Sequence, residues 1–128
     1  MLHAAAGGFD QPLPGDWQGV LLEHLLLHEL RAYQDYAGVK GSLGYWATPG
    51  GSEVDFVWWR GSKAVAIEAK HGRAFRREYR KGLEALLGAM KAESHVVYLG
   101  DRELDVDGTR VMPLGSFLRR LHRGDVLG

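Results

Sequence analysis

Apolar residues recur every three to four positions in two long segments of the chain, a spacing typical of amphipathic helices. The first helix is predicted at residues 17–36, with Asp16 as its N-terminal cap and Gly38 as its end. The second is predicted at residues 76–92, and a shorter third helix at 113–122. These helices separate the remaining hydrophobic runs of the chain into groups.

Between the helices, short runs rich in β-branched and aromatic residues indicate strands. We predict strands at residues 42–48, 53–60, 63–70 and 95–99, and an Asp107-Gly108 turn that joins 103–106 to 109–112. The order of elements is therefore helix, three strands, helix, strand, hairpin, helix. This order predicts an α/β fold in which a mixed β-sheet is flanked by helices.

Charged side chains interrupt the two strands that Gly61-Ser62 connects. Because side chains on a strand alternate between faces, Glu68 and Lys70 share a face on the second strand. If the two strands pair as a hairpin, Asp55 on the first strand converges with Glu68 and Lys70. Two carboxylates and one ammonium group suit a divalent cation and an attacking water.

Hydrolysis of a phosphodiester requires an activated water and neutralisation of negative charge at phosphorus. Mg²⁺ can supply both and prefers oxygen ligands, here Asp55, Glu68 and the carbonyl of Ala69. Lys70 would orient or deprotonate the water, or stabilise the developing charge. The alternative interpretation is a solvated strand edge with ordinary salt bridges. The apolar residues around Glu68 favour a buried strand, in which charges need partners.

The composition narrows the class of protein. The chain has 128 residues, which predicts one domain at 16–128 after a flexible tail at 1–15 that is rich in glycine and proline. Sixteen basic and sixteen acidic side chains balance, so any nucleic-acid contact must come from a local patch. There is no cysteine, which excludes disulfides and thiolate sites and is compatible with the cytoplasm. No apolar run is long enough to cross a membrane.

An ordered set of motifs runs along the chain: Tyr45-Trp46, Gly51-Ser52-Glu53-Val54-Asp55-Phe56-Val57 and Ala66-Ile67-Glu68-Ala69-Lys70. Further matching pieces follow at residues 81–86, 96–100 and 111–121. The set resembles the PD-(D/E)XK nuclease superfamily, which has the restriction-endonuclease-like fold. More narrowly, it resembles the C-terminal domain of bacterial and archaeal AAA-type ATP-binding proteins, over about residues 17–122.

The resemblance implies that Asp55, Glu68 and Lys70 hold the superfamily's catalytic positions, with Mg²⁺ or Mn²⁺ as the cofactor. The superfamily also tends to place a glutamate on the preceding helix, where Glu23 matches its Gly-x-x-x-Glu pattern. Glu29 is a second candidate metal ligand, because it lies at the centre of the apolar helix face. A buried salt bridge or hydrogen bond is the alternative role for Glu29.

The chain also departs from the family pattern. Ala47 stands where the family often has arginine, and His71 stands where it often has serine. No Walker-type phosphate-binding motif is present, so we do not expect the chain to bind ATP. The chain is then a standalone or truncated relative, or a fragment of a longer protein, and an ATPase is a candidate partner or neighbouring domain.

A basic cluster follows Lys70 directly and would bind a nucleic-acid backbone beside the acidic site, most simply DNA. Its members are Arg73, Arg76, Arg77, Arg80 and Lys81, of which the four arginines would share one face at helical spacing. The alternative is a solvated helix face, neutralised in part by nearby glutamates. A smaller cluster, Arg119, Arg120 and Arg123, is interpreted as plain surface.

Histidines and tryptophans offer weaker signals. His24 and His28 are four residues apart and could hold zinc, but no third ligand is indicated. Trp46, Trp58 and Trp59 could stack on bases, although such residues more often belong to a core. An exposed tryptophan there would favour a homodimer interface.

Two functions remain open from the sequence. The first is a Mg²⁺-dependent nuclease or nuclease-like domain that hydrolyses phosphodiester bonds. The second is a non-catalytic module that provides an AAA-type ATPase with DNA binding or self-association.

Overall fold

The computed structural model of the chain describes residues 2–4 and 17–128, with Ala4 described by its backbone alone. Three α-helices are present in these residues: α1 (Trp17–Ala37), α2 (Lys81–Ala89) and α3 (Leu114–His122). A 3-10 helix, Arg77–Arg80, directly precedes α2. The strands are β1 (Leu2–Ala4), β2 (Ser42–Ala47), β3 (Glu53–Arg60), β4 (Lys63–Lys70), β5 (Glu93–Tyr98), β6 (Leu104–Val106) and β7 (Thr109–Pro113).

The described strands form one sheet in the order β1-β2-β3-β4-β5-β7-β6. Strands β2, β3 and β4 form an antiparallel meander, and β1 pairs antiparallel with β2 at its edge. Strands β4, β5 and β7 pair parallel, and β6 closes the far edge antiparallel to β7. The predicted fold class is confirmed: a mixed α/β architecture in which a seven-stranded mixed sheet is flanked by three helices.

The sheet separates two hydrophobic cores. On one face, α1 and α3 pack against the central strands through residues such as Leu26, Leu30 and Phe117. On the other face, α2 packs through Leu83 and Leu86. Strand β4 is covered on both faces, which explains why its sequence is almost continuously apolar instead of alternating.

The predicted second helix is shorter than its apolar pattern indicated. Arg76 has an extended backbone (φ −124°, ψ 139°), the 3-10 helix follows, and α2 itself begins only at Lys81 and ends at Ala89. The prediction that the arginines of the basic cluster share one helix face is therefore wrong. The residues from Gly72 to Arg76 form an irregular connection between β4 and the 3-10 helix.

The prediction that residues 1–15 lack regular structure is wrong at Leu2–Ala4, which pair with β2. This pairing needs Gly44, because a Cβ atom there would overlap the carbonyl oxygen of His3. Such a short edge strand depends on a free neighbouring edge, which local sequence does not reveal. The rest of the predicted tail and the Asp16 cap lie outside the described residues. At the other end of α1, Gly38 has a left-handed backbone (φ +66°) and ends the helix as predicted.

None of the helices in the described part of the chain is long and apolar enough to span a bilayer.

Candidate functional site

The predicted hairpin brings Asp55 and Glu68 together. The β3–β4 ladder begins at Arg60↔Lys63 and reaches Phe56↔Ile67, so the next pair of positions is Asp55 and Glu68, on the same face as Val57 and Ala66. At this pair of positions, side-chain oxygens accept the hydrogen bonds between the two strands in place of backbone carbonyl groups. Asp55 N donates to Glu68 Oε1 (3.2 Å), and Ala69 N donates to Asp55 Oδ2 (2.8 Å). The two carboxyl groups therefore tie the diverging strand ends together.

Glu23 from α1 completes a group of three carboxyl groups. Its side chain forms a hydrogen bond with Asp55, and two carboxyl groups can share a hydrogen bond only when a proton lies between them. Burial first, and then the charge of Asp55, raise the pKa of Glu23 from 4.5 to about 7, against the opposing effect of Lys70. Glu23, which was chosen from a sequence motif, therefore lies next to Asp55 in the structure.

Glu68 is the most strongly perturbed of the three. It is 5% exposed, and burial first, followed by the hydrogen bond and charge of Asp55, raise its pKa from 4.5 to about 9. Lys70 again acts in the opposite direction. Glu68 therefore carries a proton at neutral pH when no metal cation is bound beside it.

A glycine that the sequence reading did not single out shapes the same site. A Cβ atom on Gly82, in the first turn of α2, would lie 3.2 Å from Glu68 Oε2 and overlap the carbonyl oxygen of Glu53. The start of α2 can pack this closely on the site only because residue 82 has no side chain. A glycine inside a helical pattern was the available signal.

Lys70, at the end of β4, lies beside the carboxyl groups and acts on the pKa of both Glu23 and Glu68. Its Nζ atom is 5.7 Å from the centre of the Tyr79 ring, within the range of a cation–π contact. Tyr79 was read from the sequence only as part of the apolar stripe of the second helix. The contact holds the ammonium group at the edge of the site.

Glu29 has a different partner. Its Oε2 atom is 3.0 Å from Nε2 of His122 on α3. Glu29 also lies six residues beyond Glu23 on α1, about 9 Å along the helix axis. The structure therefore brings Glu23 to Asp55, which also contacts Glu68, and it pairs Glu29 with α3.

The donor set suits a hard divalent cation, because it consists of carboxylate oxygens with the carbonyl groups of the neighbouring backbone. Within residues 2–4 and 17–128, however, no group of three His, Cys, Asp or Glu side chains already surrounds a point that a metal ion could occupy. The hydrogen bonds explain this result, since the carboxyl oxygens of Asp55 and Glu68 are directed to backbone amides and to each other. The chemistry of these residues fits a divalent cation. To bind the cation, the carboxyl groups would have to lose their protons and give up their present hydrogen bonds.

The basic cluster divides into two kinds of residue. Arg80 is only 5% exposed; its Nε donates to Thr109 Oγ1 (3.0 Å) and its Nη1 to Glu84 Oε1 (2.8 Å). Arg80 is therefore a structural residue that joins the 3-10 helix to α2 and β7. The other four members are exposed: Arg73, Arg76, Arg77 and Lys81. Two of them have acidic neighbours, at 3.8 Å for Arg76 and 3.6 Å for Arg77.

The remaining candidates lie elsewhere. Trp46 and Trp58 are buried in the two opposite cores, and Trp59 is half-buried, so none of the three is an exposed stacking surface. The condition set for a homodimer interface is not met there. His24 and His28 lie on the exposed side of α1, and no metal-binding group of three side chains includes them in the described part of the chain.

Comparison with known proteins identifies a family for most of the chain. Residues 18–117 match the family described as "Domain of unknown function (DUF4143)", and this span includes the whole acidic site. No curated protein matches the chain. Because the match covers well over half of the sequence, the chain belongs to the DUF4143 family, a domain usually found in AAA-ATPase-associated proteins.

Proposed function

We propose that the chain is a divalent-metal-dependent nuclease domain of the PD-(D/E)XK type, which hydrolyses phosphodiester bonds of nucleic acid. The observation that carries this proposal is the meeting of Glu23, Asp55 and Glu68 from three separate elements, with Lys70 beside them. Burial and like charge make this grouping of carboxyl groups energetically unfavourable, and such groupings are typical of functional sites. A purely structural arrangement would be expected to pair each acid with a base.

The residues have distinct roles in this proposal. Glu23, Asp55 and Glu68 would hold Mg²⁺ or Mn²⁺, which when bound supplies an acidified water and neutralises charge on the phosphate. Lys70 would hold the attacking water or stabilise charge that develops on the phosphate oxygens. Tyr79 keeps the ammonium group of Lys70 near the site.

The raised pKa values set a condition for cation binding. Glu23 and Glu68 carry protons that must leave before both side chains can act as ligands. Metal affinity should therefore rise between about pH 6 and pH 9, as the competing protons become scarce.

The substrate contacts are assigned to the exposed basic residues. Three of them, Arg73, Arg76 and Arg77, lie between β4 and α2, and Lys81 is the first residue of α2. They are available for a phosphate backbone, whereas the hydrogen bonds of Arg80 remove it from this role.

The test compares DNA cleavage by matched variants on one helix. Purified protein is incubated with supercoiled and single-stranded DNA in Mg²⁺, Mn²⁺ or chelator. We expect metal-dependent cleavage that falls at least about 100-fold in Glu23→Gln and Lys70→Ala. Glu29→Gln, on the same helix but paired with α3, should keep wild-type activity. Cleavage that survives chelator, or that Glu29→Gln and Glu23→Gln reduce equally, would contradict the proposal.

A second function is favoured by a specific feature of the site. The carboxyl oxygens of Asp55 and Glu68 accept backbone hydrogen bonds that hold β3 to β4, which a non-catalytic domain could use for stability alone. In that case the chain would be an accessory module of an AAA-type ATPase, consistent with the usual setting of its family. Absence of cleavage, together with an electrophoretic shift of DNA that weakens when Arg76 and Arg77 are replaced, would favour this function.

A further inference from the structure

Basic side chains also converge on the sheet face opposite Glu68. His95 on β5 lies in register with Arg110 on β7, and Arg120 on α3 lies over the same face. A cleft of about 210 Å³ is lined by all three residues. A second cleft, of about 270 Å³, adjoins it and is lined by both arginines. The side chains of Arg110 and Arg120 therefore line both clefts.

These polar groups lack the partners that buried polar groups normally have. Both ring nitrogens of His95, which is 4% exposed, and Nε of Arg120 are buried without a hydrogen bond. Arg110 is exposed and lines the same clefts. Each unsatisfied buried group costs about 1–3 kcal/mol. Arg80 shows the contrast, since its buried guanidinium is fully engaged.

The local field is positive at His95. Burial first, then the charges of Arg110 and Arg120, lower the pKa of His95 to about 4, so the ring is neutral at physiological pH. A neutral imidazole offers one N–H donor and one acceptor, and each guanidinium offers a planar set of donors. Together they place several N–H donors beside one recess.

Acidic residues on the rims limit what can enter. Glu93 and Asp125 line one cleft, and Glu103 and Asp105 line the other. These carboxylates would repel an extended polyanion such as a nucleic-acid strand, so a ligand would have to be a compact group held by the two arginines. The clefts are also smaller than the usual range of pockets for drug-sized ligands.

We propose that His95, Arg110 and Arg120 form a binding site for the phosphate group of a small molecule. Arginine matches phosphate oxygens with paired N–H donors, and a bound oxyanion would supply an acceptor for Arg120 Nε and for the N–H group of His95, which are buried without a hydrogen bond. The site is on the other side of the sheet from Glu68, and it does not depend on the nuclease proposal.

The test is a titration of the full chain with sodium phosphate, followed by NMR signals of the arginine and histidine side chains, with sodium chloride as the ionic-strength control. We expect saturable shifts at Arg110, Arg120 and His95 with a dissociation constant in the range of about 0.1–10 mM. Arg120→Gln should weaken binding at least about tenfold. Arg119→Gln is the matched control, because Arg119 is exposed on the same helix and hydrogen-bonds to Ser116.

Further arms identify the source of the phosphate and test the fold. Tighter binding of glycerol 3-phosphate than of inorganic phosphate would indicate a phosphate ester, and equal binding would indicate free phosphate; both support the site. Thermal unfolding of Arg120→Gln shows whether it is folded, and Arg110→Gln provides a second variant. Shifts that do not saturate, equal effects of Arg120→Gln and Arg119→Gln, or tighter binding of a single-stranded oligonucleotide at the same residues would overturn the proposal.

Discussion

Replacing Glu68 with glutamine should stabilise the metal-free protein, and the gain should grow with pH. In the folded protein Glu68 keeps a proton up to about pH 9, whereas in the unfolded chain it releases the proton near its ordinary pKa of 4.5. The stability associated with this proton is fully present below about pH 4.5 and is lost as the pH rises to about 9. A glutamine has the shape of the protonated acid, can still accept from Asp55 N and does not titrate.

The magnitude follows from proton linkage. Each pH unit between the two pKa values lowers the free energy of unfolding of the wild type by about 1.4 kcal/mol relative to Glu68→Gln. From about pH 5 to about pH 8 the upper limit is therefore about 4 kcal/mol, and we expect about 2–4 kcal/mol because the titration of Glu68 is coupled to Asp55.

Urea unfolding in the presence of chelator measures this effect, with the fluorescence of the tryptophans, including the buried Trp58, as the signal. Asp101→Asn, which removes one negative charge from an exposed position, is the charge-matched control. Profiles of wild type and Glu68→Gln that run parallel from about pH 5 to pH 8 would refute the reasoning, since Glu68 would then titrate alike in folded and unfolded protein.

Three further predictions concern packing. Gly82→Ala should lower the free energy of unfolding, measured in urea, by about 1–3 kcal/mol, because the new methyl group meets the backbone and the acidic site. Gly88→Ala, on the same helix with open space around it, should raise the free energy of unfolding by about 0.5–1 kcal/mol. Leu26→Ala should cost about 2–5 kcal/mol in the same assay, whereas Leu25→Ala, 38% exposed, should cost less than about 1 kcal/mol. Arg80→Ala should lower the melting temperature by several degrees, at about 3–5 °C per kcal/mol for a domain of this size, and unchanged melting would show that its hydrogen bonds are not structural.

Local patterns were enough to predict the central hairpin. Period-two alternation, with the Gly61-Ser62 turn between the strands, places Asp55 opposite Glu68 in any antiparallel pairing through that turn, and the register agrees. Helix α1 was predicted because its apolar stripe and the terminating Gly38 are both local signals. Glu23 came from a short motif, and the structure places it beside Asp55.

The predictions that were wrong depend on contacts between residues that are far apart in the sequence. Arg80 looks like any other member of a basic cluster, and it is buried only because Thr109, twenty-nine residues away, receives its hydrogen bond. Glu29 looks like a candidate ligand, but its partner His122 is ninety-three residues away. Strand β1 likewise exists through its pairing with β2.

From its sequence alone, this protein's α/β class and the central hairpin that carries Asp55 and Glu68 could be determined, because each depends on residue spacing within one or two adjacent elements. The family resemblance added Glu23 and left Glu29 open, and the structure placed Glu23 beside Asp55. Only the tertiary structure decided the protonation of Glu23 and Glu68 and the exclusion of Arg80 from the exposed basic surface. It alone also brought His95, Arg110 and Arg120 together. Burial and the charges of distant residues set these properties, and both arise only when separate elements pack against the sheet.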